Sequence, residues 1–291
     1  SYPGHAAVIP EPRLALKYNL TENVRLSLSG GYYSQNFTSA TSDRDVVNLF
    51  YGFLSAPSNV QKVFTQKNGD EMEPMNGIQT SWHGIFGTEF DITRAFSIGV
   101  ETYYKYFPKL SNINVNKLYD DTKEFHSAPD VYKKDFLIES GVSYGVDLLL
   151  EYSKNRLFLW GVYSWGNSTR WDGFQEYVPV FDRRHNVNLV ATYSFLKDKS
   201  LELSLRWNFG SGLPFTPTSG YYQGESFDDG VTTDYTTTNP SDFSILLGGI
   251  NSERLPTYHR FDVTLKKKFQ LKKNMLIEVR GGVTNVYNRD N

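Results

Sequence analysis

Cysteine is absent from all 291 residues, so neither a disulfide framework nor a thiolate metal centre exists in this chain. No stretch of roughly eighteen apolar residues occurs, which excludes a transmembrane helix. No basic-then-apolar leader opens at Ser1 either. The charges nearly cancel, 30 basic against 32 acidic for a net −2, and that balance leaves no electrostatic case for a nucleic-acid partner. The lack of an apolar helix does not exclude a membrane. A closed barrel pairs its backbone groups between strands and hides its hydrophobicity in alternation.

What the sequence does have is aromatic residues, 15% of the chain, with 20 Tyr, 20 Phe and 5 Trp. Such rings favour places where one end meets hydrocarbon and the other meets water. From Ser200 to Gly210 the odd positions Leu201, Leu203, Leu205, Trp207 and Phe209 are apolar, while Glu202, Ser204, Arg206 and Asn208 between them are polar. A period of two over that length is a strand with one oily and one wet face. The run from His185 to Phe195 repeats it, with Val187, Leu189, Ala191, Tyr193 and Phe195 against Asn186, Asn188, Thr192 and Ser194. The same reading predicts ten strands, at 13–20, 24–35, 80–92, 95–106, 140–153, 156–165, 185–196, 200–210, 258–269 and 274–287. Their oily faces carry almost no charge. The opposite faces hold Glu89, Glu101, Asp147, Glu151, Arg206, Asp262, Glu278 and Arg280.

A soluble sandwich also alternates, but its strands average about five or six residues, against about nine to eleven for a tilted membrane strand. Most runs here are of the longer kind. Five connections are tight, at Thr21 to Asn23, Thr93 and Arg94, Lys154 and Asn155, Lys197 to Lys199, and Gln270 to Lys273. The four alternating with them are long, about 36–79, 107–139, 166–184 and 211–257. Short turns on one side and long loops on the other is the outer-membrane pattern, periplasm below and the exterior above. The expected fold is therefore all-β, a transmembrane antiparallel up-and-down barrel. Counting directions, the first strand descends and the last ascends, so both chain ends are expected outside. Residues 1–291 then form a partial outer-membrane β-barrel domain.

Several segments resemble the C-terminal half of TonB-dependent outer-membrane transporters. Gly99-Val100-Glu101-Thr102-Tyr103-Tyr104-Lys105 and Gly145-Val146-Asp147-Leu148-Leu149-Leu150-Glu151-Tyr152 are similar to strands that place an acid toward the lumen. Phe181-Asp182-Arg183-Arg184-His185-Asn186 resembles the Asp-x-Arg-His strand start. Gly212-Leu213-Pro214-Phe215-Thr216-Pro217 resembles the element opening a long outer loop. Leu255-Pro256-Thr257-Tyr258-His259-Arg260-Phe261-Asp262 and Thr284-Asn285-Val286-Tyr287-Asn288 resemble a Pro-x-x-x-Arg-x-Asp strand start and the end of the penultimate strand. The resemblance spans about positions 95–288. It implies about ten strands of a 22-stranded barrel, with the plug domain and final strand not present. It also implies uptake of a ligand such as a siderophore, glycan, peptide or cofactor, driven by the TonB system through the plug.

Asp182, Arg184, Arg260 and Asp262 form pairs of like parity at strand mouths, and read as a charge network at the mouth of the lumen; His185 falls on the oily parity near the outer interface. Trp171, Tyr177, Tyr221, Tyr222, Tyr235 and Phe243 fall in the long loops, where lipid packing does not account for them, and are candidates for ligand or partner contact. Phe227-Asp228-Asp229-Gly230 offers oxygen ligands but lacks a known calcium-loop spacing, so it reads as a solvated turn, and no metal or cofactor is expected. Lys266, Lys267, Lys268, Lys272 and Lys273 read as solvated lysines around a periplasmic hairpin. The expected setting is the bacterial outer membrane, with lipid and lipopolysaccharide around the wall and outer-membrane proteins as possible loop partners. The favoured function is transport. The alternatives are an accessory barrel that binds partners, and, less favoured, an outer-membrane protease; the chain is expected not to be an enzyme.

Overall fold

A computed structural model describes residues 9–39, 53–55, 59–74, 77–114, 116–225, 240–272 and 275–290. Ten long strands form one sheet: β1 (Arg13–Asn19), β2 (Val24–Gln35), β3 (Gln79–Thr93), β4 (Phe96–Ile113), β5 (Phe136–Lys154), β6 (Leu157–Trp171), β7 (His185–Phe195), β8 (Leu201–Gly210), β9 (Tyr258–Lys272) and β10 (Met275–Val283). Each pairs antiparallel with its neighbour in sequence, and a two-residue strand, Glu176–Tyr177, adds to β6. All ten overlap the predicted runs, though β10 stops at Val283, so Thr284 to Asn288, expected to end that strand, lies beyond it. Among the described residues the single helix is one turn, α1 (Asp130–Lys133), and no helix is long and apolar enough to cross a membrane.

The register explains why the wall reads so clearly. Directly paired residues share a face, and one row runs Tyr18, Leu26, Thr88, Val100, Leu148, Tyr163, Val187, Phe209, His259 across nine strands. That row leaves β1 beside a tight turn and reaches β9 beside a long connection. The strands are therefore staggered, as tilted barrel strands must be. On the other face, charges meet across strands or along them. Arg25 donates to Glu89 at 2.9 Å and to Asp91 at 2.6 Å, and Lys266 pairs with Glu202 at 2.5 Å. Lys266 is thus paired, not simply solvated. Gly145 and Gly166 are cross-strand partners on this wet face, and a Cβ on either would fall within 2.8 Å of the Tyr103 hydroxyl. The absent side chains make room for that ring.

Exposure separates a membrane wall from a soluble sandwich. Leu16, Leu28 and Leu189 on the oily parity are 54%, 51% and 44% exposed. A sandwich would bury them between sheets. Among the described residues, Phe64, Leu110, Leu137, Ile138 and Tyr177 are buried instead, all at the long-connection end. Aromatic rings gather on the oily face near both ends, Tyr32 with Trp82 and Tyr144 with Trp165 at one, Tyr193 with Phe195 at the other, as interfacial belts do.

The strands outrun the sequence-based expectation mainly at the long-connection end, although β9 also runs to Lys272, three residues into the expected tight turn. β4 continues to Ile113, β5 begins at Phe136 and β6 reaches Trp171, so the connections expected at 107–139 and 166–184 are partly strand. For β4 and β5 the cause is a register shift between Phe107 and Leu110, which breaks the two-residue period where the wall leaves the bilayer; β6 keeps its register to Trp171 but is polar on both parities from Asn167 to Arg170. Beyond it both faces are packed or wet, and alternation carries no signal.

The facing is tested at adjacent positions mid-strand in β8. Leu205→Arg, directed at lipid near the bilayer centre, is expected to cost about 2–4 kcal/mol, while Ser204→Arg, directed at the lumen, is expected to cost below about 1 kcal/mol. Reversible denaturant unfolding in lipid vesicles measures both, and equal costs would contradict the facing.

Candidate functional site at the long-connection end

The end opposite the tight turns is external by the outer-membrane rule, and the predicted site residues gather there. Asp182, 3% exposed, is fixed from three sides. Its carboxylate accepts from the Ser168 N–H at 2.8 Å, from Arg184 Nε at 3.1 Å and from Arg254 Nη2 at 2.6 Å. Arg254 Nη1 also donates to the carbonyls of Asp182 and Gly212, at 2.9 and 3.0 Å. The stem 212–217 of one long connection is thereby tied to the β6–β7 connection. Gly212 permits the approach, since a Cβ there would lie 1.6 Å from the Leu255 carbonyl oxygen. Asn251 Nδ2 adds a bond to the Val178 carbonyl at 2.7 Å.

Arg260 and Asp262 meet at 2.9 Å along β9, and Asp262 also accepts from the Asn285 N–H at 3.0 Å. They form a separate pair from the Asp182 cluster. His185 lies on the oily parity, its Nδ1 within 2.9 Å of the Tyr163 hydroxyl. Asp182 and His185 thus point to different partners.

The aromatic candidates divide. Trp171 is the last residue of β6 and its Nε1 donates to the Thr65 carbonyl at 2.8 Å. Tyr177 is a strand residue, 4% exposed; its hydroxyl donates to Glu139 at 2.8 Å. Both were expected in open loop, and both are placed otherwise. Tyr177 belongs to a polar core with Asn112 and Arg170, whose Nδ2 and Nη1 lie 3.2 and 3.3 Å from the carboxylate of Glu139, itself 1% exposed. Tyr221, Tyr222 and Phe243 are 71%, 53% and 74% exposed on a hairpin pairing 218–225 with 240–247. Tyr235 and the Asp228-Asp229 segment lie outside the described residues. Among those described, no group of three His, Asp or Glu residues is placed to hold a metal ion.

The lumen side of this end carries features that the sequence reading missed. A cleft of about 230 Å³ is lined by Lys105, Phe107, Ser143, Ser168, Arg170 and Phe181. A neighbouring one of about 320 Å³ shares Phe107 and adds Tyr33, Gln79 and His83. Arg13 lies 4.5 Å over the Tyr33 ring, Tyr33 stacks on His83 at 4.5 Å, and Arg170 lies 5.6 Å from the Phe181 centroid. Arg13 also meets Glu11 at 2.6 Å and Arg170 meets Glu139 at 3.3 Å, which leaves Lys105 as the cleft cation that a ligand carrying negative charge on an apolar body would meet. The legible signal was parity: Tyr33 and Phe107 are large rings on the wet face.

Beyond the membrane the charged residues brace the connections. Lys117 donates to Asp135 at 2.9 Å and Lys134 to Asp121 at 2.6 Å, and these bonds hold both carboxyls below the usual aspartate range. Glu176 is lowered likewise by its bond from Lys67.

No protein-family profile and no curated protein sequence matches the chain. Solved structures do. FpvA of P. aeruginosa, in a complex with heterologous pyoverdines, superposes with TM-score 0.53 at 9% identity over 96% of this chain and 29% of its own. FpvAI in its pyocin S2 complex gives 0.51 at 10% over 96% and 28%. The FrpB iron transporter of Neisseria meningitidis gives 0.52 at 10% over 96% and 35%. The fold is that of TonB-dependent outer-membrane transporters. The chain superposes on part of such a barrel and spans about a third of the length of these structures.

Two outcomes test the site's construction. Asp182→Asn leaves Arg184 and Arg254 without their carboxylate and is expected to cost about 3 kcal/mol locally. Limited proteolysis should then cut the 211–257 segment faster, with β7 and β8 still protected; an unchanged cutting rate would refute the tie. The carboxyls of Asp121 and Asp135 are depressed by folding, so their ion pairs add stability above the ordinary value of 3.8. That contribution is lost as pH falls through the lower folded values. Hydrogen exchange in 116–135 is expected to accelerate below pH 3.8, beyond the intrinsic pH effect, while β7 and β8 hold.

Proposed function

We propose that this barrel wall serves uptake. A ligand is captured at the external mouth and crosses the lumen when energy from the inner membrane, delivered by the TonB system, rearranges a plug inside the barrel. The observation that carries this reading is the division of the wall. One face is a lipid belt with almost no charge, and the other is a charged surface ending in cation-and-aromatic clefts at the mouth. A merely structural barrel has no need of recognition surfaces on the inside. The similar proteins support it: FpvA is seen with pyoverdines and FrpB is an iron transporter. Cargo of the siderophore, glycan, peptide or cofactor kind is consistent with a ligand that meets Lys105, Arg170 and the rings beside them.

Partner binding is a second reading, and the hairpin favours it. Tyr221, Phe243, Ile245 and Leu247 are all more than half exposed there, and an isolated two-stranded hairpin is marginal alone in water. An outer-membrane protein seated on it would cover those rings. Catalysis is the reading the geometry favours least, because Asp182 is engaged by two arginines and His185 by a tyrosine on the oily face.

The test is made in cells with and without the gene, across a panel of labelled siderophores, glycans, peptides and cofactors. A ligand whose accumulation requires the gene should still bind, but no longer accumulate, once the TonB complex is removed. Accumulation that persists without TonB would overturn energised uptake, and a gene-dependent interaction with a co-purifying protein, without any accumulation, would favour the accessory role.

A further inference from the structure

Between its aromatic belts and the tight turns, the oily face of the described strands carries two charged residues, Lys154 at the end of β5 and Lys267 in β9. Both are lysines and both lie at the periplasmic end. Lys267 reaches Ser200, donating from Nζ to Oγ at 2.6 Å. Lys154 is exposed, as are Lys197 and Lys199 in the next turn. Lys199 Nζ donates to the Asn155 carbonyl at 3.0 Å, which stitches the two turns into one rim. The acid between them, Asp198, accepts from the Ser200 hydroxyl at 2.9 Å. Among the described residues, Lys154, Lys197 and Lys199 meet no carboxylate.

Directly above this rim the lipid face is dented. An apolar groove of about 440 Å³ is lined by Tyr152, Leu159, Gly161, Leu189, Ala191 and Leu205, among others. The dent arises where two small residues, Gly161 and Ala191, stand in adjacent rows, Leu150–Gly161–Leu189 and Leu159–Ala191–Leu205. Lys154 follows Tyr152 by two residues on the same face, roughly 7 Å along the strand. A headgroup at the lysines and a chain in the groove are therefore within the span of one molecule.

We propose that this rim and groove bind an anionic glycerophospholipid of the periplasm-facing leaflet, its phosphate at Lys154, Lys197 and Lys199 and an acyl chain along Gly161. Charge complementarity selects the occupant. A neutral lipid would fill the groove but leave three uncompensated ammonium groups at headgroup depth, where each lysine near an anionic surface is worth a factor of about five in binding. The inference rests on the wall's placement in the membrane and is independent of transport.

The full-length protein, reconstituted in vesicles of phosphatidylglycerol and phosphatidylcholine mixed with lipopolysaccharide and then released for native mass spectrometry, reports which lipid is retained. Phosphatidylglycerol should exceed phosphatidylcholine by about tenfold or more. The Lys154→Gln, Lys197→Gln, Lys199→Gln triple variant should bring the ratio near one. Gly161→Leu, whose Cβ would fall 2.9 Å from Leu189 Cδ2 and push that side chain into the groove, should lower retention of both lipids, and heat-modified gel migration confirms that each variant is folded. Equal retention by the wild type, or a preference that survives the triple substitution, would overturn the proposal. So would retained lipopolysaccharide lost in the triple variant, because that would place these lysines in the outer leaflet.

Discussion

Everything in this structure follows from one constraint: inside hydrocarbon each backbone N–H and C=O must find its partner within the protein. A sheet meets it through its neighbours on both sides, which is why the ten long strands pair in strict sequence order with few register shifts. Once the backbone is accounted for, the side chains are free to divide by solvent. Leu16, Leu28, Phe86 and Leu189 go to lipid, while Arg25, Glu89, Asp147 and Arg206 go to the lumen. The stagger from Tyr18 on β1 to His259 on β9 is the geometric price of closing such a sheet around an aqueous interior.

The consequence for stability is an inversion of the usual plan. The membrane wall has almost no buried apolar side chain of its own, since its oily face is covered by lipid. The packed core sits outside the bilayer, around Phe64, Ile138, Glu139 and Tyr177. There the chain faces water again and must bury what it can. Gln61 and Thr65, on the segment of Phe64, bond to Ile138 and Trp171, so this cap ties the β2–β3 connection to β5 and β6. The Asp182–Arg254 contact does the same for the 211–257 segment with charges instead of apolar groups.

That inversion also explains what could be read from the sequence. Within the bilayer one solvent boundary forces a period of two, and β7 and β8 are legible residue by residue. Above it the boundary disappears. Tyr177 looks like a loop aromatic in the sequence, because nothing local announces that its hydroxyl will reach Glu139, 38 residues away. Arg254 is equally silent, 72 residues from Asp182. The Asp182–Arg184 and Arg260–Asp262 pairs were legible for the opposite reason, as their partners share a strand mouth and a parity. The clefts on the lumen side fall between these cases. Tyr33 and Phe107 violate the wet-face rule, and such violations, once the period is known, are where a wall stops being only a wall.

The charge pattern of the mouth then constrains what it recognises. Asp182, Glu139 and Asp262 are each engaged by arginine, so the acids at this end are spent on holding the loops. Arg13 and Lys105 lie over tyrosine rings, and Lys105 meets no carboxylate among the described residues. Arg13 and Arg170 are themselves paired, with Glu11 at 2.6 Å and Glu139 at 3.3 Å. A cationic ligand would find these acids already taken, whereas an anionic one would find the Lys105 ammonium backed by the Tyr103 ring, at the place where the staggered wall first meets the outside.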